Sequence, residues 1–497
     1  MTMPIRQLQE FIKDDMRSPG PRSRGEEIAI YISTWLSTPV PWYSIVLGLL
    51  LYRRGYAVHF VWDDLPDPFQ PAEERQMHEI AEALLLLSKR GLRFYRISEM
   101  QGVAPDGDYL EEALRLASLN AVWWHKTPVP EPGLHTRRYD CLKTLLGGLP
   151  QILGYFSSAS PRSFLLPGGI VANSGLFLHA CKRNGVRVTT YDSGVSSIST
   201  GIDSVAAHLD DIPHVMFQLL EDRDVIAYAK KVGEVELQKR FDGVDKYLFQ
   251  PVKRSSDTGR QYDVLFPLNI ENDSSALGKH VLFEDSLAWL EETLDYILAE
   301  TQASVAVRQH PYEKRIPWRN DALVHRLVKR YAGSDRVTIF DCNAPVNTYD
   351  LITSSRVVLP FVSSIAVEAA IMGKTVIPVA PAFYAGFFFA EMPVSKNGYF
   401  EAIRNALTDD VVPNPRAVDE AWLSYYLSQI CGRIWTDFTP QPSDYALWGK
   451  RSLKDLEADP EVGAVLRCLG DGDYISMVQH ERIQREGLER VYRGAKA

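Results

Sequence analysis

Twice along this chain, short apolar runs alternate with longer amphipathic segments, and this repetition restricts the fold more than any other property of the sequence. The first series opens near residue 27. E-E-I-A-I-Y-I-S-T-W reads as a strand, P-W-Y-S-I-V-L-G-L-L-L-Y-R-R-G as a helix with Pro41 near its start and Gly55 after its end, and Y-A-V-H-F-V-W-D-D as a second strand. Parallel strands need such a crossover, so this is a β-α-β unit. A polar helix around 72–90, a strand near 92–97, helices over about 108–122 and 137–156, and the strand-like V-R-V-T-T-Y-D-S-G extend the series. Between about 242 and 261 the apolar periodicity gives way to Gly, Ser and charge, the composition of a linker. The alternation restarts with Y-D-V-L-F-P-L-N and runs through S-V-A-V-R-Q-H-P, R-V-T-I-F, R-V-V-L-P and T-V-I-P-V, with helices between them. Beyond 410 the pattern is mostly helical. The expected fold class is α/β: two doubly wound domains, over 1–245 and 261–410, with a helical segment over 411–497 bracing the first.

Size and charge fit that frame. At 497 residues and 45% hydrophobic content the chain is too long for one ordinary domain and supplies two sizeable cores. A net charge of −9 gives no general attraction to nucleic acid, although a local basic cleft can still hold an anionic substrate. The five cysteines lie far apart and make no C-x-x-C pair, which favours a reduced protein over a disulfide framework or a zinc site. The first residues carry charges where a signal peptide needs an apolar core, and the most apolar stretch, Pro39 to Leu51, is well short of the roughly 20 residues that cross a bilayer. The expected location is the cytoplasm. Peripheral attachment at the inner membrane face stays compatible, since it needs only a small apolar or basic patch.

The densest chemistry lies between 304 and 374. S-V-A-V-R-Q-H-P is a buried strand that delivers Arg308 and His310 to its carboxyl end, where Pro311 stops it. V-L-P-F-V-S-S-I-A-V-E-A-A-I-M-G-K-T-V-I-P reads as strand, Ser363-Ser364, helix, Gly373, strand. Ligands of open parallel sheets collect at the carboxyl ends of the strands. A cation or imidazole facing a helix start that carries two hydroxyls suits a nucleotide phosphate, because backbone N–H groups and the helix dipole favour negative charge there. Blander readings are available: His310-Pro311 as a turn, the serines as an N-cap, and Glu368 as a solvated first-turn acid. In the loop after the opening strand of the second series, Asn269 and Asn272 could read nucleotide or sugar hydroxyls, or simply make turns. In the first series Ser33, Thr34 and Trp35 follow the first strand and would face the acceptor, as would Asn173.

Three segments resemble bacterial capsule polysaccharide biosynthesis glycosyltransferases of GT-B architecture, including Kdo transferases and the related CMP-sialyltransferases. They are V-A-N-S-G-L-F-L-H-A-C-K-R-N-G-V-R-V-T-T-Y-D-S-G over 171–194, F-P-L-N-I-E-N-D-S, and R-Q-H-P followed by the Ser-Ser helix. The resemblance covers roughly 165–380 and implies two Rossmann-like domains facing a cleft, the second holding the nucleotide-sugar donor. It implies that His310, Ser363 and Ser364 bind the donor phosphate, that Glu368, one helical turn beyond Ser364, binds a ribose hydroxyl, and that Asp192 in a Tyr-acid-x-Gly turn with Ser193 and Gly194 is the general base toward the acceptor. Many capsule proteins of this kind carry Glu at the position of Asp192. The implied reaction is inverting and metal-independent. The resemblance implies no cofactor beyond the nucleotide-sugar donor, with CMP as the expected nucleotide, and a saccharide or lipid-linked saccharide as acceptor.

Other motifs fail on spacing. Gly373-Lys374-Thr375 resembles the end of a P-loop, but Glu368 stands where the first Gly would be and the helix precedes the triplet. Gly470-Asp471-Gly472-Asp473 follows no convincing strand. Two alternatives stay open on the residues: a CDP-polyol phosphotransferase of teichoic-acid type, and a non-catalytic sugar-binding subunit of capsule assembly.

Overall fold

The computed structural model describes residues 9–11, 13, 26–35, 38–67, 74–126, 129, 132–244, 254, 259–316, 321–408, 414–441 and 451–493. The chain divides into two compact units: unit 1 holds 1–121, 135–211 and 430–497, and unit 2 holds 122–134 and 212–429.

Unit 1 is built on a seven-stranded sheet. Its strands are β1 (Glu27–Ser33), β2 (Ala57–Asp63), β3 (Arg93–Arg96), β4 (Ser163–Pro167), β5 (Arg187–Gly194), β6 (Ser197–Ile202) and β12 (Ile434–Trp435), in the spatial order β12-β6-β5-β4-β1-β2-β3. The run from β3 to β5 is parallel, and β6 and β12 add an antiparallel edge. β1 and β2 are buried on both faces, which is why they read as continuous apolar runs. The helices α1 (Val40–Arg53), α2 (Glu74–Ser88), α3 (Gly107–His125), α4 (Pro132–Ser158) and α5 (Asn173–Arg183) lie between the parallel strands in sequence. α1 is buried almost all round, and Gly48 lets the Phe60 ring lie against its backbone, where a Cβ would come within 2.6 Å of the ring. The main core gathers Ile30, Trp42, Leu47, Phe60, Leu84, Leu466 and Val478. It includes residues from the carboxyl-terminal part of the chain.

Unit 2 carries a five-stranded, wholly parallel sheet of β7 (Tyr262–Pro267), β8 (Val305–Arg308), β9 (Val337–Phe340), β10 (Ser355–Val358) and β11 (Thr375–Val376), ordered β11-β10-β7-β8-β9. Its helices are α6 (Ile212–Leu219), α7 (Arg223–Phe241), α8 (Ser286–Glu300), α9 (Asp321–Tyr331), α10 (Thr348–Thr353), α11 (Ile365–Ile371), α12 (Lys396–Thr408) and α13 (Pro415–Tyr425). Both sheets follow the doubly wound order 3-2-1-4-5, counting strands within each unit. The α/β class with two Rossmann-like domains is thus present.

The structure moves two boundaries. The first domain, expected to end at 245, gives up 212–244 to unit 2, because α7 packs on α13: a Cβ on Gly233 would sit 2.8 Å from the Trp422 ring, and Tyr228 meets Tyr426 edge-on. For the same reason 411–429 belongs to unit 2, and only 430–497 to unit 1. The linker read at 242–261 falls largely outside the described residues. The Tyr-acid-x-Gly turn is also different in kind: Tyr191 to Gly194 are the last residues of β5, paired with Thr200 to Ser197 of β6, and the turn itself is Val195-Ser196. Among the described residues no helix is long and apolar enough to cross a membrane.

Candidate functional site

The carboxyl ends of β7 and β8 and the turn after β10 surround a cavity in unit 2. The switch point of this sheet lies between β7 and β10, where successive crossovers leave in opposite directions. Arg308, His310 and Pro311 line the cavity from the end of β8, Thr348 and Tyr349 from α10, Ser363, Ser364 and Glu368 from the β10–α11 turn and α11, and Arg240 from α7. The imidazole and the two serine hydroxyls, some fifty residues apart in sequence, therefore meet at one site.

His310 caps the short 3-10 turn Pro311–Arg315: its Nδ1 accepts the Tyr312 N–H at 3.2 Å. Burial lowers its pKa to about 4, with the Asp273 charge opposing and Arg308 adding to the fall. The ring is neutral at pH 7, and with Nδ1 accepting, its proton resides on Nε2 as a hydrogen-bond donor. Ser364 occupies the N-cap position of α11 but makes no side-chain capping bond. The turn is held from behind instead, by the Tyr384 hydroxyl donating to the Ser363 carbonyl at 3.0 Å and the Val362 N–H donating to Asn269 Oδ1 at 3.3 Å. Asn269 thus braces the serine turn. Neither it nor Asn272 is among the described residues that line the cavity.

Two charged residues serve differently from their sequence readings. Glu368 is 1% exposed, neither a solvated acid nor an open ribose ligand: its carboxylate accepts from the Arg240 guanidinium and from the Tyr349 hydroxyl at 2.8 Å. Arg240 also donates to Gln429 Oε1 at 2.7 Å and lies 5.6 Å from the Tyr425 ring centre. Glu368 is therefore the anchor of a cation that sequence reasoning missed. Lys239-Arg240 reads as an ordinary basic last turn, and no local signal reveals a partner 128 positions away. Arg308, 1% exposed, donates to the carbonyls of Asp341 and Val346 and so holds the β9–α10 connection, while its buried Nε has no partner. Burial lowers its pKa to about 10, and it remains a cation at neutral pH.

A wider cavity in unit 2 is lined by Asp321, His325, Asp341 and Asn343 with apolar neighbours. No Arg or Lys lines it among the described residues, so it lacks the chemistry of an anion site.

In unit 1 the expected acceptor residues separate into two groups. Ser33 ends β1 level with Asp63 at the end of β2, and the Asn173 amide donates to Asp63 Oδ2 at 3.1 Å. Thr34 and Trp35 follow, the Trp35 N–H donating to Gln76 Oε1 at 3.0 Å. Asp192, Ser193 and Gly194 lie on β5, which is separated from β2 by β4 and β1. Three strand spacings put Asp192 about 14 Å from Asp63. Asp192 accepts the N–H of the next residue, Ser193, at 2.8 Å within the paired end of β5. Asp63 was missed, although an acid as the last residue of a buried strand is a legible signal. Burial raises its pKa to about 6 against the hydrogen bonds from Tyr31, Asn173 and the Leu65 N–H.

No protein-family model matches the chain, and no curated protein is significantly similar to it. Solved structures similar to it include two KpsC proteins from Thermosulfurimonas dismutans. The one titled beta Kdo 2,7 transferase is 14% identical, with a TM-score of 0.34 over 63% of this chain and 89% of that one. The one titled beta Kdo 2,4 transferase is 15% identical, with a TM-score of 0.36 over 62% and 93%. A UDP-GlcNAc 2-epimerase from Methanocaldococcus jannaschii is 10% identical, with a TM-score of 0.24 over 81% and 99%. Likeness at this level assigns no role to any residue here.

Proposed function

We propose that this chain is a glycosyltransferase that takes its sugar from a nucleotide donor and builds a bacterial surface polysaccharide or glycolipid. The observation that carries this reading is the convergence of His310, Ser363, Ser364, Arg240 and Arg308 on one cavity at the switch point of a parallel sheet. An imidazole N–H, two hydroxyls and two guanidinium groups suit a phosphate, and the strand-end setting suits a nucleotide. The His-Pro and Ser-Ser motifs direct the choice of donor to CMP-activated acids such as Kdo or a sialic-type acid, ahead of UDP sugars.

In the proposed reaction the bond between the anomeric carbon and the phosphate oxygen breaks, and its electron pair leaves with the nucleotide. His310 Nε2–H and the serine hydroxyls meet the growing charge as preorganised donors. The low pKa of His310 suits it to donating a hydrogen bond rather than to becoming an imidazolium. The acceptor hydroxyl attacks from the opposite face with inversion, and a carboxylate of unit 1 takes its proton, Asp192 being the candidate drawn from the sequence. The proposed chemistry meets the leaving charge with side-chain and backbone donors and calls for no metal. The protein acts in the cytoplasm, at the inner membrane face when its acceptor is lipid-linked.

Thermal-shift measurements with CMP, CDP, UDP and GDP test the donor half, and the largest stabilisation is expected from CMP. With the matching donor, His310→Ala should lower transfer by about 10²-fold or more. Turnover near that of the wild type would remove His310 from the mechanism.

A further inference from the structure

We infer that the outer edge of β9, with the groove beside it in unit 2, is a docking site for an extended cationic segment of a partner protein, which adds to the sheet as a further strand. The inference is independent of the transferase reading.

The four sheet edges are not alike. β3 carries Arg93 and Arg96 at its two ends, and β11 and β12 are two residues long. Charged side chains and short strands keep edges from pairing with other chains. β9, V-T-I-F, has four residues with neither a charge nor a proline, and β8 is its one partner among the described strands. The Arg336 and Phe340 carbonyls accept from the N–H groups of Val305 and Gln309, on the side of β8. Peptide groups alternate in direction along a strand, so those of Val337 and Ile339 point away from β8 and offer two N–H donors and two carbonyls. Arg260 closes the amino end of this edge by donating to the Asp335 carbonyl at 2.6 Å. No described residue bonds to Val337 or Ile339 on the outer side.

The groove supplies selectivity. It lies between α9 and the carboxyl end of β9, with Val324, Val328, Ile339 and Ala344 as its apolar wall and Asp321 and Asp341 as its charges. Val328 is 47% exposed. Alternate side chains of an added strand fall on this face. An apolar one meets Ile339 and Val328, and a Lys or Arg two positions along meets Asp341. Strand addition of this kind takes affinity from main-chain hydrogen bonds and selectivity from the sites that receive alternate side chains. The occupant brings the cation that the groove lacks.

Charge also disfavours a second copy of this chain. With Val337 opposite Ile339, antiparallel pairing of two β9 strands sets Asp341 of one copy opposite Asp335 of the other, at both ends of the contact. Both residues are exposed, and like charges directly opposite one another destabilise a pair of strands.

The probe is a fluorescent peptide amide, K-T-V-T-K-T-V, which puts its lysines and valines on one face and its threonines on the other. Its controls are E-T-V-T-E-T-V and two versions of the lysine peptide N-methylated at alternate residues, one in each phase. Fluorescence anisotropy with the full chain should show saturable binding of the lysine peptide and about tenfold weaker binding of the glutamate peptide. One of the two methylated versions should fail to bind, because methylation in one phase removes N–H groups from a single edge of the peptide. Asp341→Asn, whose amide oxygen still accepts the Asn343 N–H, and Val328→Ser should each weaken binding about fivefold at a wild-type Tm. Ile339→Pro deletes an outward N–H and should abolish binding; if it also lowers the Tm, the other two variants decide. The proposal is overturned by the lack of saturable binding to the wild type, by equal binding of the glutamate peptide or of both methylated versions, or by binding unchanged in D341N and V328S. A wild-type dimer in sedimentation velocity that Ile339→Pro converts to monomer gives the edge to a second copy and overturns it as well.

Discussion

Loss of water leaves His310 and Glu271 uncharged at neutral pH, from opposite directions. Glu271, in the polar loop after β7, has its pKa raised to about 8 by burial, with the Ser286 hydrogen bond opposing and Glu313 and Asp285 adding to the rise. A native pKa above the unfolded value means that the folded state holds a proton the unfolded chain has released. This contribution to stability is complete below about pH 4.3 and is lost as pH rises toward 8. Glu271→Gln, neutral at every pH and able to keep a bond to Ser286, should therefore raise the Tm at pH 8 more than at pH 5. An equal change at both values would show that Glu271 titrates normally. At this scale the sequence was informative where the chemistry is local. His310 and the serine pair could be read because each sits beside its own strand end. The roles of Glu368 and Arg308 could not, since their partners, Arg240, Tyr349 and the Asp341 and Val346 carbonyls, come from distant stretches of chain.

Among the elements, α7 matters most for the donor cavity because it carries Arg240 to it. Its seat on α13 depends on Gly233, about two turns before Arg240. Gly233→Ala adds about 1 kcal/mol of helix propensity, but the new methyl meets the Trp422 ring at 2.8 Å, and overpacking typically costs about 1–3 kcal/mol. The ring is held against Tyr425, so the clash should prevail. The expected result is a lower Tm together with weaker CMP binding by calorimetry; normal CMP affinity would separate α7 placement from the cavity. Most strands and helices with strong apolar periods were legible, including β1, α1, β2, β7, β8 and β10. β6 was not, because S-I-S-T-G-I has the composition of a loop and becomes a strand by pairing with β5 and β12. β4, S-F-L-L-P, is too short to announce itself between two helices.

For the whole molecule, the sequence conveyed two doubly wound domains but misplaced the border, since a composition change marks where the chain loses its pattern and not where a helix packs. A fragment spanning 212–429 should unfold cooperatively and be stabilised by CMP. A fragment spanning 246–410 lacks both α7 and α13, and should show neither property in thermal denaturation. Equal behaviour of the two would return the border to the linker.

The pairing of β12 with β6 also bears on how the protein is made. Residues 430–497 complete a unit whose other segments mostly precede unit 2 in the sequence, so the seven-stranded sheet stays without its outermost strand until unit 2 has been synthesised. During that interval β6 presents a bare edge, and any delay in translating β12 prolongs its exposure to other nascent chains.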